Sequence, residues 1–229
     1  MNLVFIHGAG SSSKVWTFQK RYFSRDHEVT LLTLSGHGGK KGEGKETINE
    51  YVEEVRTTIQ EYEDVVIIGH SMGGAITMSY ALQNPVTACV LAGTGAKLRV
   101  LPAILEQIKE NYEQTIDFIL EYAIYNKTEQ IMHQSKKEML ATLPEIMVKD
   151  FIACDTFDVM QEIEHLHVPT LVVCGSEDVL SPVKYSQYLA AKIEHSTLEV
   201  IENCGHMLML EKPVEFNHIL DQFFNTLDE

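Results

Sequence analysis

The segment Gly69-His70-Ser71-Met72-Gly73-Gly74 sets a serine hydroxyl between glycines placed two positions before and two after it. A short β-branched run, Val65-Val66-Ile67-Ile68, precedes it and reads as a parallel strand buried on both faces. Residues 75–82 follow, apolar and long enough for a buried helix that Asn84-Pro85 ends. A G-x-S-x-G between strand and helix is a nucleophile elbow. Backbone must approach the serine closely on both sides of such a turn, so positions 69 and 73 must lack bulk, and Gly74 lets the helix lie near the sheet. The plainer reading is a glycine-rich turn with an incidental serine. It loses ground only if partners for Ser71 exist elsewhere in the chain.

A serine hydroxyl attacks only when a base removes its proton and a third group orients that base. Behind a nucleophile elbow these partners come later in the chain, acid before histidine. The loop at 93–97 holds no acid, whereas Gly175-Ser176-Glu177-Asp178 holds two. Asp178 fits better, because the chain needs a few residues to clear the strand end; Glu177 is the reserve. Of the histidines that follow, His195 precedes the last strand at the wrong edge and His218 falls inside the final helix. His206 follows that strand through Glu202-Asn203-Cys204-Gly205, at the carboxyl edge where open α/β sheets bind ligands. The expected catalytic set is therefore Ser71, Asp178 and His206. Cys204 stands near His206, but no pattern marks it as a nucleophile.

Acyl transfer also needs backbone donors aimed at the developing oxyanion. The first strand ends in His7-Gly8-Ala9-Gly10, whose small residues let an N–H reach the site. Ala9 is the expected first donor and Met72, just after the nucleophile, the second; His7 braces the loop rather than carrying a proton. Trp16 and Phe18 follow closely and either line the mouth of the site or belong to the scaffold. Lys14, Lys97 and Arg99 are the nearest cations in sequence, with exposed loops as their ordinary setting. The chemistry calls for neither metal nor organic cofactor. One decoy is set aside: 39–45 matches G-x-x-x-x-G-K, but Glu46 stands where a phosphate loop needs Ser or Thr.

The elements that position these groups follow from hydrophobic pattern. Apolar runs at 3–6, 29–34, 65–68, 88–92, 170–174 and 197–201 read as strands, most of them continuous rather than alternating. Helices are expected near 48–62, 74–83, 182–193 and 214–227. Between 97 and 165 the alternation stops and helical periodicity takes over, in 101–123, 129–142 and 144–153. We read 97–165 as a helical cap inserted into a core of 1–96 and 166–229. Its methionines, Met132, Met139, Met147 and Met160, read as core filler before pocket lining.

The 229 residues suffice for one good core, and 45% hydrophobic with 22% charged residues is ordinary for a globular protein. A formal net charge of −15 disfavours nucleic acid and anionic membranes as partners. No leader or apolar stretch of ~18 residues is visible, so a cytoplasmic location is expected, with the four dispersed cysteines reduced. The oligomeric state is not legible.

With these residues in place, the chain resembles the α/β-hydrolase superfamily, in its capped esterase-like branch. His7-Gly8, Gly36-His37-Gly38, 69–74, 169–178 and Gly205-His206 with Glu211-Lys212-Pro213 carry the resemblance, in that order. It implies a doubly wound, mostly parallel sheet of about six strands that lacks the family's first two, with the strand at 3–6 lying between those at 29–34 and 65–68. Two departures stand out: the missing strands, and Leu34-Ser35 where the family often has an Asp before Gly-His-Gly. The expected activity is hydrolysis of small or medium uncharged carboxylic esters, with the cap choosing the substrate. Thioester or C–C bond cleavage, perhydrolysis and elimination are open to the same groups, as is a sensor that only binds a small molecule.

Overall fold

The computed structural model describes residues 1–227. Six strands form one sheet: β1 (Asn2–Ile6), β2 (Glu28–Leu32), β3 (Val65–His70), β4 (Ala88–Ala92), β5 (Thr170–Gly175) and β6 (Ser196–Ile201). Their order is β2-β1-β3-β4-β5-β6, and every pairing is parallel. The first strand thus lies inside the sheet, as the resemblance implies. The chain leaves β1 in one direction to β2 and returns on the other side to β3. That reversal opens a crevice at the carboxyl ends of β1 and β3, where doubly wound sheets hold their ligands.

The inner strands are apolar on both faces because helices cover both. Leu3, Phe5, Val66, Ile68 and Val90 pack on one side with Trp16, Phe23, Phe216 and Phe224. Val4, Ile6, Val65, Ile67 and Leu91 pack on the other with Tyr51, Val55, Ile59 and Ile76. Successive side chains of a strand point to opposite faces, so a continuous run serves both layers. The edge strand β6 alternates in burial instead.

α1 (Thr17–Phe23) and α10 (Pro213–Asn225) cover the first face, and α2 (Ile48–Ile59) with α3 (Met72–Ala81) the second. Between β4 and β5 run four helices: α4 (Pro102–Glu110), α5 (Tyr112–Ala123), α6 (Glu129–Leu140) and α7 (Pro144–Thr156). The periodicity that runs unbroken through 101–123 in sequence is divided at Asn111, whose φ of −142° and ψ of 58° leave the helix. Asparagine competes for backbone hydrogen bonds and so favours such breaks. The segment leaves and rejoins the core at one place, where Lys97 bridges Asp158 and the Val159 N–H donates to Ala96 (2.8 Å). α8 (Val183–Lys192) precedes β6, and short α9 (Leu208–Glu211) leads into α10. No helix among the described residues is long and apolar enough to cross a membrane.

Trp16 requires a correction. A 3-10 turn at Ser13–Trp16 swings its ring into the core, stacked on Phe216 and tilted against Phe5 at centroid distances of 6.1 and 5.1 Å. Phe18 lies two residues on, hence on the opposite side of a helical turn, and faces solvent. Trp16→Ala is expected to cost about 3–5 kcal/mol of stability in denaturant unfolding. A shift in KM at unchanged stability would instead mark a site residue.

Candidate active site

Ser71 occupies the turn between β3 and α3 with φ 54° and ψ −116°, a backbone that a non-glycine residue holds only under constraint. A Cβ on Gly69 would lie 2.2 Å from the Gly73 carbonyl oxygen, and one on Gly73 2.3 Å from that of Ile6. The turn therefore packs directly on β1, with no space for side chains. The Ser71 N–H donates to the Ala92 carbonyl (3.0 Å), and the Ser71 carbonyl accepts the Thr94 hydroxyl (2.8 Å). Both backbone groups are thereby tied to the end of β4.

Asp178 lies beyond β5 and is almost completely buried. Its Oδ1 accepts the N–H groups of Leu180 and Ser181, both at 2.9 Å. Its Oδ2 accepts the Ser181 hydroxyl at 2.7 Å and His206 Nδ1–H at 2.8 Å. Burial alone would raise the Asp178 pKa, but the charge and hydrogen bond of His206, with the Ser181 contacts, hold it below the ordinary value. A carboxylate on Nδ1 leaves His206 Nε2 free to accept a proton. The His206 N–H donates to Ala123 of α5 (2.8 Å), while His70 Nε2–H donates to the His206 carbonyl (3.0 Å). Glu177 is exposed and, among the described residues, accepts only the Ser176 hydroxyl. Sequence reasoning missed Ser181, whose Oγ lies 3.1 Å from His206 Nδ1.

The loop after β1 is held from several sides. His7 Nδ1–H donates to Gly8 (2.8 Å), and His7 Nε2 accepts the Leu34 N–H (3.1 Å). Burial lowers its pKa to about 3, so the ring is a neutral brace. A Cβ on Gly8 would stand 3.1 Å from Ser71 Cβ. Among the described residues, the N–H groups of Ala9 and Met72 have no hydrogen-bond partner, which leaves them available to a ligand.

Beside Ala9 stands a second buried carboxylate with several partners. Asp150 of α7 is fully buried. Its Oδ2 accepts the Gly10 N–H (2.8 Å) and His37 Nε2–H (2.6 Å), and its Oδ1 accepts the Tyr51 hydroxyl (2.6 Å). One carboxylate thus ties α7 to the loop after β1, the loop after β2 and α2. Nothing in 144–153 distinguishes it, since its partners are 99 to 140 residues away.

Two cavities meet at Ala9, Ser71 and His206. A chamber of about 100 Å³ is walled by Gly8, Val15, Leu120, Met139 and Leu210, with Ser135 and Glu138 also on its lining. A groove of about 530 Å³ runs past Leu98, Ile104 and Tyr185 to Leu101, Phe118 and Val179, which are exposed. Neither Trp16 nor Phe18 lines either space. Lys14 is paired with Glu138 at 3.0 Å, and Met139 lines the chamber as well as packing against the core.

Burial lowers the His37 pKa, but the Asp150 hydrogen bond and charge raise it more, so it stands above its ordinary value of 6.5. The stabilisation this brings is complete below pH 6.5 and disappears as pH rises through the folded-state value. The Tm gap between wild type and His37→Gln should therefore narrow as pH is raised from about 6 to about 9. A gap that widens would contradict the pairing. For Asp150→Asn, which loosens the turn carrying Ala9, a fall in kcat of about tenfold or more is expected, with KM changing less.

A profile of the alpha/beta hydrolase family matches residues 3–219. The chain is 27% identical over 246 aligned positions to a pimeloyl-acyl-carrier protein methyl ester esterase of Aliivibrio salmonicida, spanning 100% of this chain and 94% of that one. A thermophilic esterase of known structure is 33% identical with a TM-score of 0.87, covering 98% of this chain and 90% of its own. An Exiguobacterium antarcticum esterase, at 19% identity and TM-score 0.92 over 100% and 92% of the two chains, shares the fold. The strand order, the turn at Ser71 and the family match over nearly the whole chain agree, and the protein belongs to the alpha/beta hydrolase family.

Proposed function

We propose that this protein is a serine hydrolase of small or medium uncharged carboxylic esters, working through an acyl-enzyme. The reading rests above all on one juxtaposition: the buried Asp178–His206 pair at 2.8 Å shares a cavity wall with Ser71 on its constrained turn. Ser71 Oγ attacks the ester carbonyl as His206 Nε2 takes its proton. The N–H groups of Ala9 and Met72 stabilise the oxyanion, and His206 returns the proton to the leaving alcohol. Water then loses a proton to His206 and attacks the acyl carbon, releasing the acid and restoring Ser71. Asp178 holds the imidazole tautomer and stabilises the imidazolium.

Helices α4–α7 act as the cap over this site. They supply Ile119, Leu120, Met139 and Phe151 to the cavity walls, which favours apolar acyl chains, while the −15 net charge works against anionic ones. The names of the relatives, a methyl ester esterase and an esterase, point to the same reaction class. An intact acid–histidine pair favours turnover over mere sensing.

Ser71→Ala should lower kcat on p-nitrophenyl esters by about 10⁶-fold with folding unchanged; ester hydrolysis surviving in the purified variant would refute the assignment. Across an acyl-length series, kcat/KM should rise by up to ~0.8 kcal/mol per buried methylene and then fall. A preference for dianionic acyl groups would overturn the pocket argument and leave the nucleophile standing.

A further inference from the structure

The two oxygens of Asp178 are held differently. Its Oδ1 accepts the N–H groups of Leu180 and Ser181, within its own turn. Its Oδ2 meets His206 and, among the described residues, takes one other hydrogen bond, from the Ser181 hydroxyl at 2.7 Å. Ser181 thus reaches both oxygens, one through its backbone and one through its side chain. Contacts at both ends fix the carboxyl group against rotation about its Cβ–Cγ bond. Ser181 is itself buried. Pro182 follows it, ahead of α8, and a proline narrows the backbone conformations open to the residue before it.

The same hydroxyl lies 3.1 Å from His206 Nδ1, yet it has a single hydrogen to give. A hydrogen bond to a carboxylate is shorter and roughly twice as strong as one between neutral groups. The 2.7 Å distance to Oδ2 fits such a bond, so the hydrogen belongs to Asp178 and the serine oxygen turns lone pairs toward Nδ1. Nδ1 then faces two acceptors, Oδ2 at 2.8 Å and Ser181 Oγ at 3.1 Å. A proton on Nδ1 satisfies both. The other tautomer would set a ring lone pair against a carboxylate and a hydroxyl oxygen, and its protonated Nε2 could not act as a base.

We propose that Ser181 is a positioning residue for the reaction: it fixes the Asp178 oxygen that meets His206 and adds a second acceptor for Nδ1–H, which keeps Nε2 free to take the Ser71 proton. This rests on the serine hydrolase reading and adds a further side chain to the groups that reading uses. Ser181 acts through Asp178 and His206 rather than on the substrate. Its effect depends on the charge of Asp178, because a carboxylate is what draws the serine hydrogen away from Nδ1.

The test is a double-mutant cycle on a p-nitrophenyl ester, with Tm followed for every variant. Ser181→Ala should lower kcat by about ten- to a hundredfold, the size of a lost hydrogen bond to a charged group, with KM changing less than about threefold. In an Asp178→Asn background the same substitution should cost less than about threefold, since the carboxylate it serves is gone. Ser181→Thr, which keeps the hydroxyl, should recover most of the loss; if its added methyl lowers Tm, the cycle alone decides. Ser181 also lines the groove, so a merely structural role would show as a rise in KM alone or as an equal loss in both backgrounds. Either result, or a Ser181→Ala kcat within about twofold of wild type, would overturn the proposal. In each case, wild-type hydrolysis that is lost in Ser71→Ala leaves the serine hydrolase reading intact. A wild type that hydrolyses no ester would end both.

Discussion

A serine held at φ 54° between two glycines constrains much of this molecule. The Ser71 turn can keep that backbone only because β1 and α3 clamp it, with the Gly73 backbone seated against the Ile6 carbonyl. The clamp requires β1 inside the sheet, next to β3 in parallel register, with Ile6 opposite Gly69. The same register delivers the loop after β1 to the face of Ser71, where Gly8 passes without a side chain. Strand order, the two close glycines and a serine on the cavity wall are one geometric requirement expressed at three scales. Local strain of about 1–3 kcal/mol at such a residue persists because the surrounding packing over-determines it.

A second requirement joins the helical segment between β4 and β5 to this frame. At its edge the ties are light: the Lys97–Asp158 pair is substantially exposed, and such pairs contribute little. At its centre lies Asp150, fully buried and accepting three hydrogen bonds from three other parts of the chain. Losing one partner of a buried ionic contact costs far more than losing a surface one. Since Gly10 stands next to Ala9, the carboxylate that docks α7 also fixes the turn that carries Ala9. Glu211 acts similarly on the other side, where its Oε2 accepts the N–H groups of Gly205 and Asn126 and joins the His206 loop to the end of α5.

The parts of this arrangement legible in the sequence are those governed by local rules. Apolar runs locate all six strands to within a few residues, and in the four inner strands burial on both faces makes those runs continuous. Gly69 and Gly73 announce the turn, since close backbone approach excludes side chains. Asp178 and His206 were reachable because each follows a strand at the carboxyl edge. Asp150 and Ser181 were not. Each sits in an unremarkable stretch and gains its contacts from partners far along the chain. Trp16 misled for a related reason: nearness to Ala9 in sequence suggested the site, but one 3-10 turn redirected the ring toward Phe216.

The central claim is that Ser71 is a nucleophile activated by His206, whose ring Asp178 orients. A serine-directed phosphonate tests this most directly, because it forms a covalent bond with an activated hydroxyl whether or not the natural ester is known. Peptide mapping of the labelled protein should place one adduct on Ser71, with the labelling rate falling by about 10⁴-fold in Asp178→Asn. An adduct on another residue, or labelling of Ser71 at an unchanged rate in that variant, would contradict the account.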